Sequence, residues 1–218
     1  MNDLKQRSMT ATIAGIIFLG TYFISAYLFA LFLLAVLGWI LYDEWPRVSG
    51  FSYSDPWYWA LSLVYPSVPF FILIYLVFFY RDLSYMLPLY PFLASWMVDA
   101  GGYFVGKRIG VHKLLPKVSP GKTWEGLAGG IFSLFVFHLM IIVSFHAKIT
   151  ILNVVISTLF IGFLAVTGDL FMSWMKRRRK IKDTGNLLPG HGGLLDRFDS
   201  VLFIALGMGL IEGIKAFL

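Results

Sequence analysis

The chain has 218 residues, of which 58% are apolar, 18% aromatic and only 14% charged. Soluble domains carry nearer a quarter of charged residues, so this composition excludes an ordinary water-soluble fold and points to an all-α, polytopic membrane protein. The absence of cysteine excludes disulfides, thiolate metal sites and cysteine nucleophiles, and the net charge of +6 gathers mainly in two loops, with no nucleic-acid partner expected.

In chain order, Lys5 and Arg7 precede an apolar block over residues 9–41. The block has no small-residue cleavage site and no soluble domain after it, so it reads as retained membrane structure rather than a secretory signal. As one helix it would be roughly 50 Å long, against a hydrocarbon layer of about 30 Å. A hairpin of two short helices turning at Gly20 and Thr21 fits better. A polar loop is expected over 42–56, then a span over 57–80 that Pro66 and Pro69 kink or interrupt. Arg81 and Asp82 mark a turn. The next apolar segment, 83–105, holds Pro88, Pro91 and an isolated carboxylate, Asp99. The first basic loop, 106–123, carries Lys107, Arg108, Lys113, Lys117 and Lys122. Spans over 124–145 and 149–171 follow, then a second basic loop with Lys176, Arg177, Arg178, Arg179, Lys180 and Lys182, and a last span over 200–218.

Two spans separate the basic loops, so both lie on one side, and the positive-inside rule makes that side cytoplasmic. Lys5 and Arg7 share it only if the first block crosses twice. The count is then about seven spans in a single membrane domain, 1–218, with N-terminal spans in 1–98 and the chemistry in 99–218.

The densest polar stretch runs over 168–199. Asp169, Ser173 and Lys176 are spaced i, i+4, i+7 and share a helical face; Asp196 and Asp199, at i, i+3, share another if a helix has begun there. Three carboxylates at one membrane boundary suit a hard divalent metal such as magnesium, which takes oxygen ligands and bridges phosphates. The structural alternative is that Asp169 pairs with Lys176, while Asp196 or Asp199 caps the last helix or neutralises Arg197. Between them, Gly185, Gly190, Gly192 and Gly193 surround His191; such a loop entering a helix can bind an anion, or can be a plain turn. The cations over 176–182 set topology and touch anionic headgroups, a role that leaves Lys176 and Lys182 over for chemistry. Asp99 is costly amid apolar residues and marks a cavity, or else pairs with Lys107 or Arg108. Gly102 and Gly106 fit the small-x3-small pattern of helix packing. Gly121-Lys122-Thr123 is not a P-loop, because the first glycine of that motif would fall on Pro116.

The stretch Ser173-x-Met175-Lys176-Arg177-x4-Lys182-Asp183-x-Gly185-x2-Leu188-Pro189-x-His191-Gly192-Gly193-Leu194-x-Asp196-Arg197-Phe198-Asp199 resembles the motif of the CDP-diacylglycerol synthases, or phosphatidate cytidylyltransferases, with every fixed position matched. Two weaker stretches agree: Asp99-Ala100-Gly101-Gly102-Tyr103-Phe104-Val105-Gly106, and Ser119-Pro120-Gly121-Lys122-Thr123-Trp124-Glu125-Gly126, where Gly121 replaces a more usual lysine. The resemblance covers about residue 99 to the end, and the chain looks short for a bacterial member.

The resemblance implies that CTP and phosphatidate give CDP-diacylglycerol and pyrophosphate, with one or two Mg²⁺ ions; a second, monovalent cation is compatible with it. Asp169, Asp196 and Asp199 would hold metal. Lys176, Arg177, Lys182, Gly192 and Gly193 would bind phosphate, and Ser119, Lys122 and Thr123 would reach the CTP phosphates. Asp99, Ser173, Asp183, His191 and Arg197 belong to the site without a fixed role. Membrane lipids surround the spans, a homodimer is allowed, and a bacterial plasma membrane with the site facing the cytoplasm is expected. Two other readings are a CTP-dependent transferase for another lipid phosphate or lipid alcohol, and a non-catalytic scaffold or anion transporter.

Overall fold

The computed structural model describes residues 3–81, 84–146, 149–190 and 192–217. Among these the chain forms seven helical segments: α1 (Asp3–Ile24), α2 (Ala26–Ser49), α3 (Pro56–Tyr80), α4 (Tyr90–Ile109), α5 (Trp124–Phe145), α6 (Ile151–Arg178) and α7 (Leu195–Phe217). The fold is helical as expected, with one addition: the first basic loop holds a short antiparallel hairpin, β1 (Lys113–Leu115) and β2 (Ser119–Thr123), with Lys113 opposite Thr123 and Leu115 opposite Ser119. Among the described residues four helices, α2, α3, α5 and α6, are long and apolar enough to cross a membrane, and Ser8–Ile24 within α1 is a shorter apolar helix.

Three boundaries differ from the sequence reading. The first apolar block does divide in two, but at Ser25 rather than at Gly20 and Thr21. Ser25 is extended (φ −160°, ψ 140°) and its hydroxyl oxygen accepts the Tyr27 amide at 3.2 Å, capping α2. Thr21 instead turns its hydroxyl back onto the Ile17 and Phe18 carbonyls inside α1, which lets a polar residue continue the helix. Most of the expected loop over 42–56 is helix. The α2 backbone widens to π geometry over Ile40–Glu44 and runs on to Ser49, ending at Gly50 in the left-handed region (φ 75°). Residues 85–89 are turns and helix begins at Tyr90, later than expected, with Pro91 in its first turn, where a missing backbone donor costs nothing; the expected start of that segment, residue 83, lies outside the described residues. The kink expected in α3 is present: Tyr65 leaves helical geometry (φ −148°, ψ 121°) immediately before Pro66.

The chain divides into two compact units, Met1–Pro88 with Met175–Phe198, and Leu89–Trp174 with Asp199–Leu218. In the first, Tyr22, Phe29, Leu33, Phe70, Leu73 and Leu76 are fully buried, Tyr22 meets Phe29 edge-on at 5.1 Å, and Phe70 stacks on Phe198 at 5.1 Å. In the second, Ala94, Val98, Leu134, Ile161, Ala165 and Ile204 form the core. There α4 and α5 approach closely. A Cβ on Gly101 would lie 2.6 Å from the Gly129 carbonyl oxygen, and one on Gly126 would lie 3.0 Å from that of Gly102. Gly106 faces Gly126 as well, so the small-x3-small reading of Gly102 and Gly106 holds. A buried polar chain crosses this unit, from the Tyr90 hydroxyl to His138 Nε2 (2.6 Å) and from His138 Nδ1 to the Thr158 hydroxyl (2.7 Å).

Candidate active site

In the Leu89–Trp174 unit, the glycine-lined approach of α4 to α5 leaves a cavity of about 310 Å³ beside the hairpin. Asp99, Ser119, Lys122 and Thr123 line it, together with Tyr103 and Val166. Four residues singled out on two separate stretches of sequence thus share one concave surface. Lys122 reaches across and forms an ion pair with Asp169 Oδ2, near the end of α6. Asp169 Oδ1 accepts the Ser173 hydroxyl at 3.1 Å, so the predicted shared face of Asp169 and Ser173 is real. Thr123 has a structural task there: its hydroxyl oxygen accepts the Gly126 amide at 3.1 Å and caps α5. The neighbouring Glu125 accepts the Val111 and His112 amides and pairs with the His112 ring, closing the base of the hairpin.

Asp199 belongs to the same unit. Gly168 packs directly on it: an added Cβ there would stand 2.6 Å from the Asp199 carbonyl oxygen and 3.0 Å from Ser200 Cα. The Ser200 hydroxyl donates to the Ala165 carbonyl at 2.8 Å and pins the same crossing. Asp169, next to Gly168 in the chain, and Asp199 therefore stand on facing turns of α6 and α7.

The Met175–Phe198 segment carries most of the longest motif. The helix start predicted for Asp196 and Asp199 is observed, with α7 opening at Leu195. Lys176 Nζ pairs with Asp196 Oδ1 at 2.5 Å, so the lysine's partner is this carboxylate. Asp196 Oδ2 accepts the Thr184 amide (2.8 Å), the Thr184 hydroxyl (3.1 Å) and the Gly193 amide (3.1 Å). Gly192 (φ 81°) sits where a Cβ would come within 2.9 Å of Asp196 Oδ2 and 3.4 Å of Asp183 Cβ, which gathers Gly192, Asp183 and Asp196. Arg177 donates to the Ile181 carbonyl at 3.2 Å. Lys182 and Arg197 are exposed, and His191 lies outside the described residues.

Two residues of this segment's surroundings were not legible as site residues. Glu44, from the π turn of α2, is fully buried. Its carboxylate accepts the Thr184 hydroxyl (2.9 Å) and the Leu194 and Leu195 amides (2.7 Å each). Arg179, read as a topology-setting cation, donates to the Ser49 carbonyl at 2.7 Å, across the Cα of Gly50 at the C-terminal end of α2. The only sequence signal for Glu44 was an acidic residue beside a long apolar run, which ordinarily marks a loop.

Hard carboxylate oxygens suit magnesium; Asp169 and Asp199 carry them on facing turns, where Lys122 and Ser173 meet Asp169 and the Ser200 amide donates to Asp199 Oδ1 at 2.7 Å. Asp196 fits less simply, since Lys176 holds one of its oxygens and three donors hold the other. Among the described residues no three His, Asp or Glu side chains are grouped as a metal site.

Comparison with known proteins agrees with this motif. The model of the cytidylyltransferase family matches residues 7–212. Among similar curated proteins, the phosphatidate cytidylyltransferase of Staphylococcus aureus (strain COL) is 41% identical over 158 residues, 71% of this chain and 58% of the relative. That of Bacillus subtilis (strain 168) is 45% identical over 115 residues, 53% of this chain and 43% of the relative. That of Staphylococcus haemolyticus (strain JCSC1435) is 36% identical over 156 residues, 71% of this chain and 58% of the relative. The chain spans less than two thirds of the length of these relatives. A match over nearly its whole length nonetheless places the chain in the cytidylyltransferase family.

Proposed function

We propose that the chain transfers the cytidylyl group of CTP to the phosphate of phosphatidate, giving CDP-diacylglycerol and pyrophosphate for phospholipid biosynthesis. The observation that carries this reading is the cavity lined by Asp99, Ser119 and Lys122, with Lys122 paired to Asp169. It brings the hairpin lysine onto Asp169, the carboxylate one helical turn before Ser173, where the longest motif opens.

Both substrates are polyanions, so the site must offset their repulsion and align attacker with leaving group. The lipid phosphate is already an anionic nucleophile and needs no strong base. Its oxygen attacks the α-phosphorus of CTP, and the bond from that phosphorus to the β-phosphate oxygen breaks to release pyrophosphate. Lys122 exchanges Asp169 for CTP phosphate; Lys176 exchanges Asp196 for phosphate, helped by Arg177, Lys182 and the Gly192 amide, and by the Gly193 amide once it too leaves Asp196. Each exchange keeps the lysine paired throughout. A divalent cation, magnesium by chemistry, would be held by Asp169 and Asp199; Asp196, which the resemblance also assigns to metal, is tied to Lys176, Thr184 and Gly193. One or two such ions would neutralise phosphate charge as it develops.

In this reading all seven helical segments cross or enter a bacterial plasma membrane, and both basic loops face the cytoplasm. The acyl chains stay among the spans while the headgroup rises to the helix ends. Two chains could pair. The test is purified protein in detergent with CTP, phosphatidate and magnesium. Release of pyrophosphate that needs both substrates is expected, and its absence overturns the assignment. An isoprenoid phosphate or a lipid alcohol in place of phosphatidate should release none.

A further inference from the structure

We infer that Glu44 is a positioning residue for this reaction, acting on Asp196 and Lys176 through Thr184; the inference rests on the proposed cytidylyl transfer. The carboxylate of Glu44 is fully buried, so it touches no substrate. It is inserted between the two limbs of the glycine-rich loop, Thr184 and Gly185 on one side and residues 193–195 on the other. On the first limb it takes the Thr184 hydroxyl, and on the second it takes two successive amides from residues 150 and 151 positions further along the chain.

Those amides belong to the residues that open α7, where helical backbone donors have no partner of their own. Glu44 thus caps α7 from a distant helix, in the place where a local Ser or Asp would ordinarily do so. The loop glycines record how tightly this is built. A Cβ on Gly193 would stand 2.1 Å from Thr184 Oγ1 and 2.6 Å from Glu44 Oε2; one on Gly185 would stand 2.9 Å from Glu44 Oε1.

The link to chemistry runs through one hydroxyl. Thr184 Oγ1 lies 2.9 Å from Glu44 Oε2 and 3.1 Å from Asp196 Oδ2, and its single proton serves one of them at a time. Asp196 in turn holds Lys176. A change at Glu44 therefore reaches the lysine through three contacts, Glu44 to Thr184, Thr184 to Asp196, and Asp196 to Lys176. Glutamine cannot substitute, because its amide nitrogen would face a donor on one side or the other. Small displacements of aligned groups lower turnover far more than they lower ground-state binding.

The experiment compares unmodified protein, Glu44→Gln and Gly185→Ala in detergent with CTP, phosphatidate and magnesium. Gly185→Ala keeps the carboxylate's charge and pushes on it sterically. Both variants should lose at least tenfold in kcat, keep the KM for CTP within about threefold, and bind the same number of CTP molecules per chain as the unmodified protein. That last readout separates positioning from partial unfolding. A kcat within twofold of the unmodified protein overturns the inference. So does a loss of CTP sites in proportion to activity, or failure of both variants to give monodisperse protein, since either makes Glu44 a folding residue only. If the unmodified protein itself releases no pyrophosphate, the proposed activity fails instead, and the two outcomes cannot be confused.

Discussion

Lys122 and Asp169 form an ion pair between the hairpin that follows α4 and the last turns of α6, with each side chain about one quarter exposed (26%). A pair so placed is accessible to solvent, and under the proposed function its two members would take a triphosphate and a metal ion respectively. Lys122→Ala is expected to raise the KM for CTP by about tenfold, the equivalent of one charged hydrogen bond, while the KM for phosphatidate moves less than threefold. Equal effects on both constants would count against a CTP role for this lysine.

The two helix-borne carboxylates should separate in their folding consequences. Asp199→Asn is expected to lower magnesium-dependent turnover by at least about tenfold, since even residues that only support a metal ligand are worth about 10–100-fold, with the thermal midpoint in detergent nearly unchanged. Asp196→Asn should lose comparable activity and also lower that midpoint. Its amide nitrogen would face either the Thr184 and Gly193 donors or the Lys176 ammonium, each of which now meets a carboxylate oxygen. Normal turnover in purified Asp199→Asn removes that residue from the metal site.

At the α4–α5 contact, space is the limiting factor. A Cβ on Gly129 would stand 2.4 Å from Val105 Cβ, so Gly129→Val must part the helices. A cost of about 1–3 kcal/mol is expected, read as a lower thermal midpoint, with a parallel fall in CTP affinity because this contact walls the Asp99 cavity. A midpoint equal to that of the unmodified protein would mean the helices are free to separate.

The buried chain through His138 should affect stability alone. Tyr90→Phe leaves His138 Nε2 without its 2.6 Å partner in an apolar surrounding. Interhelical hydrogen bonds of this kind contribute about 0.6–2 kcal/mol inside membranes, so a modest fall in thermal midpoint is expected with kcat unchanged. A large loss of turnover at normal stability would assign the chain to the reaction itself.

What the residues revealed in advance was whatever depends on local spacing. The i, i+4 relation of Asp169 and Ser173, the start of α7 just before Asp196, the proline kink at Pro66 and the small-residue contact at Gly102 and Gly106 all follow from helix geometry and donor loss. What stayed hidden depends on tertiary partners. Ser25 rather than Gly20 breaks the first hairpin, because glycine only permits a break while serine's hydroxyl oxygen accepts an amide at the new helix start. Which lysine pairs with which aspartate is set by packing, and the sequence left Lys176 as the natural neighbour of Asp169. Glu44 was the hardest to see, because its three donors lie some 140 to 151 positions away.

The attachment of Ser49 to Arg179 and of Glu44 to the start of α7 gives α2 a duty beyond holding the protein in the bilayer. Exchanging residues 26–49 for an unrelated hydrophobic span should yield a chimera that inserts and accumulates but turns over slowly. Supplying α1 and α2 as a separate polypeptide should restore it only while the two fragments stay associated. Such complementation would convert the N-terminal hairpin from an anchor into an assayable subunit.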